Sequence, residues 1–323
     1  MVVILSSEDD QSTNDVIDWL NFYGKDFIRI NPSDTIADIQ INTSLGFRFS
    51  VNGIIVDIAN VSSFWYRRGT IKIETYQIQD DIFPFSNALN KHLKIENNPI
   101  NEFILNSLNQ KNGLGDYYNT DANKFGVLLK AKDVGLSIPP TLVTTKKVEL
   151  REFIIHEGQA ITKTMGAMIM AYENGNSLTS YTKRITLEHL HDLGETFSPS
   201  LFQKEISKQY ELRIFYLDGE FFSMAIFSQE DKQTAIDFRV YNHVKPNRTV
   251  PFELPKTIKE KLRKLMVNCN YSTGSIDMIY TIDKEFVFLE INPIGQYDMV
   301  SVPCNYYLNK RIAERLSSTY GAA

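Results

Sequence analysis

Between Ser275 and Pro293 the chain reads SIDMIYTIDKEFVFLEINP, two apolar runs separated by Asp283-Lys284. With that dipeptide as the turn of a hairpin, Asp277 lies directly opposite Glu290, their Cβ atoms about 5 Å apart. Asn292, two residues on from Glu290, shares its face because strand side chains alternate. The other face then carries Ile276, Met278 and Tyr280 against Val287, Leu289 and Ile291. Directly opposed like charges destabilise a strand pair. A hard divalent cation reverses that sign, since Mg²⁺ takes oxygen ligands and bridges one or two carboxylates to nucleotide phosphates. The competing reading leaves both acids screened by water at an exposed sheet end. The Glu-Ile-Asn-Pro ending weighs against it, and Asp277, Glu290 and Asn292 are expected to hold Mg²⁺ beside a nucleotide.

Cations suited to phosphates occur elsewhere, several inside apolar segments where charge is costly unless paired. Lys163 sits in Ala160-Ile-Thr-Lys-Thr-Met, and Lys124 lies in a helix near the middle of the chain. A strand over Glu211–Leu217 puts Glu211 and Arg213 on one face and Leu212, Ile214 and Tyr216 on the other. Arg239 follows Asp237 in Asp237-Phe-Arg-Val-Tyr, and the Gly166–Gly175 segment after Lys163 is able to fold over phosphates. Taken singly each feature is ordinary, because a strand lysine usually faces solvent and Gly175 suits a turn. Their joint occurrence with the acidic hairpin, in this order, is specific.

These residues need elements to position them. Val2–Leu5, a helix over Asn14–Tyr23 stopped by Gly24, and Phe27–Ile30 form a strand–helix–strand unit with parallel strands. Phe47–Ser50 and Ile54–Asp57 flank Asn52-Gly53, a strong hairpin signal. Ser63–Arg68 (SFWYRR) reads as a strand with Trp65 and Arg67 on one face. Arg67 and Arg68 at its end would meet substrate carboxylates, or form an ordinary charged strand edge. A helical stretch over 80–108 precedes the Gly- and Asn-rich Lys111–Thr120 boundary. Beyond it come a helix over Asp121–Val134 ended by Gly135, a strand over Thr141–Thr145, a helix over Lys147–His156 and a strand over Ala160–Met165. Strands over Leu201–Ile206, Glu211–Leu217 and Glu220–Ser228 follow, then a helix over Pro255–Asn268 and the acidic hairpin. This is a small α/β domain followed by α+β parts.

Composition bounds the partners. The 323 residues make roughly two domains of ~100–200 residues, enough to bury a core without disulfides or metal staples. Acidic residues number 39 against 34 basic ones, and the net charge of −5 argues against a general nucleic-acid binder while leaving room for a local basic cleft. Cys269 and Cys304 are too few for a disulfide framework or zinc site. No apolar run approaches ~18 residues, so no membrane span is expected. The start, Met-Val-Val-Ile-Leu-Ser, reads as a short buried strand and lacks the features of a signal peptide. A cytoplasmic protein is the expectation.

The chain resembles the ATP-grasp superfamily over nearly its whole length. The matching residues are Asn123-Lys124, Gly135-Leu-Ser-Ile-Pro-Pro-Thr, Lys163, Gln203-Lys-Glu-Ile, Glu211-Leu-Arg, Asp237-Phe-Arg and Asp277 with Glu290-Ile-Asn. The resemblance implies an ATP-grasp fold: an N-terminal α/β pre-ATP-grasp domain at 1–115, a central subdomain at 116–205 and a C-terminal subdomain at 206–323. The nucleotide lies between the last two. It further implies ATP and Mg²⁺ as cofactors, with Lys124 and Lys163 on the phosphates. The backbone of Gln203, Lys204, Glu205 and Ile206 would read adenine, while Lys208 and Glu211 make ribose and other polar contacts. Asp277, Glu290 and Asn292 match the metal ligands, and Arg213 and Arg239 match arginines near the γ-phosphate and acyl phosphate. Asp237 would hold Arg239 or act as a base. Where the family hinge often carries an acid, this chain has Lys204, so only a backbone role carries over there.

More narrowly, Leu5-Ser-Ser-Glu-Asp, Asp18-Trp-Leu, Phe64-Trp-Tyr-Arg-Arg, Gln203–Arg213 and Phe288-Leu-Glu-Ile-Asn-Pro-Ile-Gly-Gln resemble the ligases that make graspetides, the ω-ester or ω-amide peptides of the microviridin and grasp-with-spasm groups. The implied partner is a ribosomally made precursor peptide with a leader and a core containing acidic, Thr, Ser or Lys residues. The implied reaction phosphorylates its Asp or Glu carboxylates and closes esters with Thr or Ser, or amides with Lys. Ester against amide, ring size, the leader-binding residues and the oligomeric state stay open, although homodimers are common among such ligases. Two rivals remain at this stage: a RimK-like ligase that adds amino acids to a peptide or protein end, and a non-catalytic ATP-binding regulator.

Overall fold

The structure, a computed structural model, describes residues 1–44, 46–79, 84–166, 169–230, 236–237, 244 and 246–318. Two compact units divide the chain: Met1–Thr120 together with Tyr307–Ala323, and Asp121–Tyr306.

The first unit is built on β1 (Val2–Leu5), whose four side chains are all buried. Helix α1 (Gln11–Phe22) starts at Asp10, whose carboxylate accepts the Thr13 N–H at 2.8 Å, and it buries Val16 and Leu20. Strand β2 (Phe27–Ile30) returns parallel to β1, as the strand–helix–strand reading expects. Next, β3 (Ile36–Asn42), β4 (Gly46–Val51) and β5 (Ile54–Asp57) form a separate antiparallel sheet. Asn52 and Gly53 join β4 to β5, both at positive φ (52° and 78°), as a tight hairpin turn requires. Strand β6 (Ser63–Tyr66), helix α2 (Ser86–Asn109) and β7 (Gly113–Leu114) complete a parallel sheet of order β2-β1-β6-β7. At Gly115 (φ +74°) a Cβ would stand 2.4 Å from the Tyr66 carbonyl oxygen, so only glycine fits.

A helix far along the chain, Leu308–Ser317, also belongs to this unit. Leu308, Ile312 and Leu316 repeat every four residues and are buried, and the helix packs against α1. The Leu316 carbonyl accepts the Ser63 hydroxyl at 2.7 Å. That apolar stripe is why the segment from Tyr307 groups with the N-terminal residues.

The second unit opens with α3 (Lys124–Asp133), capped by Asn123 accepting from the Gly126 N–H at 3.0 Å. There follow β8 (Thr141–Lys146), α4 (Lys147–Glu157), β9 (Ala160–Lys163), the β10 (Met170–Glu173) and β11 (Asn176–Thr179) hairpin, β12 (Lys183–Ile185) and β13 (Thr196–Lys204). Strands β12-β9-β13-β8 make an antiparallel sheet whose Ala160 and Phe202 pack on Leu150 and Ile154 of α4. The Gly166–Gly175 segment includes 167–168, outside the described residues; its latter part enters the β10–β11 hairpin.

The larger sheet contains β14 (Lys208–Leu217), β15 (Glu220–Phe227), β16 (Arg248–Phe252), β17 (Thr273–Thr281) and β18 (Phe286–Asn292), in the order β16-β15-β14-β17-β18. Leu212, Ile214, Ile276, Met278, Phe288 and Ile291 on one face are buried against α3 and α5 (Lys256–Asn268). Alternation sends Glu211, Arg213, Asp277 and Glu290 to the opposite face. A short helix, α6 (Asp298–Cys304), covers the β15 end of that face through Val300 and Cys304. Among the described residues no helix is long and apolar enough to cross a membrane.

The β17–β18 hairpin departs from the expected register in its interior. Lys284 donates to the Thr281 carbonyl at 3.0 Å, and Thr281 donates to the Glu285 carbonyl at 2.9 Å, so Ile282, Asp283 and Lys284 form a three-residue loop with Lys284 at φ 66°. Tyr280 therefore pairs with Phe286 and Met278 with Phe288, and Leu289 bulges before the acids. Asp277 faces Glu290 after all. Phe286 and Phe288 replace the expected Val287 and Leu289 on the core face, where two phenyl rings bury more apolar surface.

Candidate active site

Three cations meet two carboxylates on the open face of this sheet. Asp277 and Glu290 are cross-strand neighbours, and Arg213 is the neighbour of Asp277 on β14. Arg213 Nη1 donates to both Asp277 oxygens, at 2.7 and 2.8 Å. Both side chains are nearly buried, 10% and 16% exposed. Glu290 Oε2 lies 3.5 Å from Lys124 Nζ and 3.5 Å from Lys163 Nζ. Lys124 also donates to the Thr164 carbonyl at 3.0 Å, tying the start of α3 to the end of β9. Burial pushes the Lys163 ammonium below its ordinary pKa; Glu290 opposes that shift and Lys124 adds to it. With both lysines protonated the cluster carries one excess positive charge, which suits an anionic ligand.

The donor set fits a hard cation. Asp277, Glu290 and Asn292 offer carboxylate and amide oxygens on adjacent strands. Asn292 Oδ1 accepts from the Ile294 N–H at 3.1 Å and keeps a second lone pair. Among the described residues no group of three or more His, Cys, Asp or Glu side chains is placed to hold a metal ion. Asp277, Glu290 and Asn292 would be the residues to hold such an ion.

A second cluster lies at the start of β14. Lys208 Nζ contacts Glu211 Oε1 at 2.7 Å and donates to the Ile236 carbonyl at 3.2 Å. The Ser228 hydroxyl donates to the same Glu211 oxygen at 2.7 Å. Burial pushes the Glu211 carboxyl above its usual range, with Lys208 and Ser228 opposing. Asp237 is buried and accepts the Thr182 N–H at 3.3 Å. Arg239 lies outside the described residues.

At the expected hinge the polar side chains are engaged by the protein. Gln203 Nε2 donates to Thr141 Oγ1 at 3.0 Å, Lys204 lies 3.5 Å from Glu157, and Glu205 accepts from Arg184 Nε at 2.6 Å. The Lys204 and Glu205 N–H groups donate to the Pro140 and Gln159 carbonyls, at 3.0 and 2.8 Å. Both main-chain N–H groups are thus engaged within the protein, and the stretch ends at Ile206. Beside Lys163, a cavity of 280 Å³ is lined by Lys163, Thr164, Met165, Tyr181, Lys183 and Leu201 among others.

Arg67 and Arg68 lie in the first unit and share one carboxylate. Asp10 Oδ2 is 3.4 Å from Arg67 Nε and 2.7 Å from Arg68 Nε. Arg67 is buried, whereas about a third of the Arg68 side chain, 36%, is exposed. Among the partners that escaped sequence reasoning are Ser228, Thr182 and Asp10. Asp10 was legible as a helix cap, whereas Ser228 and Thr182 act on residues 17 and 55 positions away, beyond any local pattern.

Solved structures share this architecture over nearly the whole chain. The macrocyclase MdnC of Microcystis aeruginosa MRC, bound with precursor peptide MdnA, has 27% identity over 98% of both chains and a TM-score of 0.75. An ATP-grasp ligase of Chryseobacterium gregarium, RiPP-associated and in complex with ADP and a leader and core peptide, has 24% identity over 98% of this chain and 94% of that one, with a TM-score of 0.79. The macrocyclase MdnB of Microcystis aeruginosa MRC has 24% identity over 99% of both chains and a TM-score of 0.68. No protein-family model and no curated protein matches. The fold is that of the ATP-grasp ligases, shared over nearly the whole chain with these macrocyclases and the RiPP-associated ligase.

Proposed function

We propose that the protein uses ATP and Mg²⁺ to activate Asp or Glu side-chain carboxylates of a ribosomally made precursor peptide, then closes macrocyclic esters with Thr or Ser, or amides with Lys. The observation that carries this reading is the meeting of Lys124 and Lys163 on Glu290, beside the Arg213–Asp277 pair. A carboxylate is a poor electrophile because its charge repels nucleophiles and its leaving group is oxide. ATP supplies a phosphoryl group that makes an acyl phosphate, and Mg²⁺ neutralises phosphate charge. The protein's work is then positioning and charge stabilisation.

In this reading Lys124 and Lys163 exchange Glu290 for phosphate oxygens, which frees Glu290, with Asp277 and Asn292, for the cation. Arg213 orients Asp277 and faces the transferred group together with Arg239. Asp237 is proposed to hold Arg239. Lys208 and Glu211 make polar nucleotide contacts, and the main chain over Gln203–Ile206 reads the base. Arg68, with its exposed edge, is proposed to contact a substrate carboxylate, whereas Arg67 is buried against Asp10. The three-part division at 1–115, 116–205 and 206–323 and a cytoplasmic location belong to the same proposal.

The test is incubation with ATP, Mg²⁺ and a precursor peptide encoded beside the gene, followed by mass spectrometry. Each ring closed removes one water from the peptide mass. A mass increase by whole amino acids, or ATP binding without ADP release, would replace this reading.

A further inference from the structure

The turn after Asn292 is tied to both polar groups of that residue. Its main-chain carbonyl accepts from the Gly295 N–H at 3.0 Å, closing a turn through Pro293 and Ile294. Its side-chain Oδ1 accepts from the Ile294 N–H at 3.1 Å. Pro293 has its φ set by its ring, so this stretch starts out restrained. The Asn292 side chain is exposed, and the turn takes the place of packing in fixing the amide.

What holds the turn is a contact from the neighbouring strand. Ser275 is the register partner of Asn292 on β17, and its hydroxyl donates to the Gln296 carbonyl at 3.3 Å. Gly295 is buried against it. A Cβ on Gly295 would stand 2.3 Å from Ser275 Cβ, 2.4 Å from its Oγ and 3.0 Å from the Asn292 carbonyl oxygen. Those first two distances are far inside van der Waals contact, so any side chain at 295 must push the turn off the strand. Gly274 approaches from another side: a Cβ there would lie 3.2 Å from the Asn292 carbonyl oxygen and 3.3 Å from Pro293 Cα. Two glycines thus enclose the carbonyl of Asn292, which lies two residues on from Glu290 on the same strand.

We infer that Gly295, through its close approach to Ser275, is a positioning residue that holds the Asn292 amide in place for a nucleotide-bound divalent cation. The inference rests on the reading of Asp277, Glu290 and Asn292 as cation ligands. Outer residues that orient metal ligands typically change metal affinity by ~10- to 100-fold when altered.

The experiment measures ADP affinity by calorimetry with and without Mg²⁺, together with thermal unfolding, and reads the ratio of the two affinities. Gly295→Ala is expected to cut the Mg²⁺-dependent gain by ~10-fold or more while leaving Mg²⁺-free ADP affinity within ~2-fold. Adding Ser275→Gly removes the Cβ and Oγ of the clash together with the hydroxyl bonded to the Gln296 carbonyl, and is expected to restore part of the gain. A wild-type gain in Gly295→Ala, or a loss that Ser275→Gly does not relieve, overturns the inference. If Gly295→Ala does not fold, Ser275→Val crowds the same contact from a strand position that tolerates β-branching. The same loss is expected there, and an unchanged gain overturns the inference. Asn292→Ala separates the two claims: a full gain in that variant removes Asn292 from the cation site itself, whatever Gly295 does.

Discussion

Replacing Glu290 by Gln keeps the shape of the side chain and removes the negative charge between two ammonium groups. At 3.5 Å each Lys–Glu pair has a raw Coulomb attraction of about 5 kcal/mol at an effective dielectric of ~20, and about 1 kcal/mol at that of water. The three side chains are 13–24% exposed, so the operative value lies between these limits. After desolvation is set against attraction, a net destabilisation of ~2 kcal/mol is reasonable for the ligand-free protein. For a unit of this size that lowers Tm by ~5 °C. Nucleotide binding should move in the opposite direction. Without metal, ADP phosphates meet two lysines no longer shared with a carboxylate, and affinity is expected to rise by up to ~10-fold, or 1.4 kcal/mol. With Mg²⁺ present, the further gain seen in the wild type is expected to disappear. Calorimetric titration of ADP in Mg²⁺ and in chelator reads both effects. A variant that loses affinity equally under both conditions would refute the reasoning, because Glu290 would then contact the nucleotide other than through a cation.

Gly115→Ala puts a methyl group 2.4 Å from the Tyr66 carbonyl at a φ of +74°, and is expected to destabilise the first unit by ~2 kcal/mol or more without altering ADP affinity of the second; chemical denaturation and titration check both. Lys208→Met removes the ammonium that opposes the raised pKa of Glu211. A carboxyl whose folded pKa lies above its unfolded one binds more protons when folded, so stability falls as pH rises from about 4.3 through the folded value. That fall should extend to higher pH in Lys208→Met and lose the Glu211 contribution in Glu211→Gln, and parallel pH profiles for all three proteins would argue against it.

How much of this was legible in the sequence depends on the range of the forces involved. The β4–β5 hairpin could be read from Asn52-Gly53 because its turn needs two positive φ angles, a purely local demand. The facing of Asp277 and Glu290 was also legible, although by compensating deviations. A two-residue turn was expected, a three-residue one forms, and the bulge at Leu289 restores the pairing. Neither the αL conformation of Lys284 nor the bulge has a glycine to announce it; burial of Phe286 and Phe288 selects them. Lys163 and Lys124 could be singled out as costly charges, but their convergence on Glu290 spans 127 and 166 positions and comes from tertiary packing. The pairing of Arg67 and Arg68 with Asp10 was missed because a helix cap and a strand end are separate local signals, joined only by parallel strand order.

The first unit is interrupted in the chain: its sheet is complete by Leu114, yet the Leu308–Ser317 helix that packs on α1 arrives only after all of the second unit. During synthesis at ~5–20 residues per second, tens of seconds of one-by-one addition separate the α1 surface from its cover. Over that interval the α1 surface on which this helix later packs is without its cover, while the unit holding the Glu290 cluster can already close. Timing at the ribosome, rather than final stability, is then the point at which this topology is most exposed, and slowing or truncating translation after Tyr306 is where its expression would suffer first.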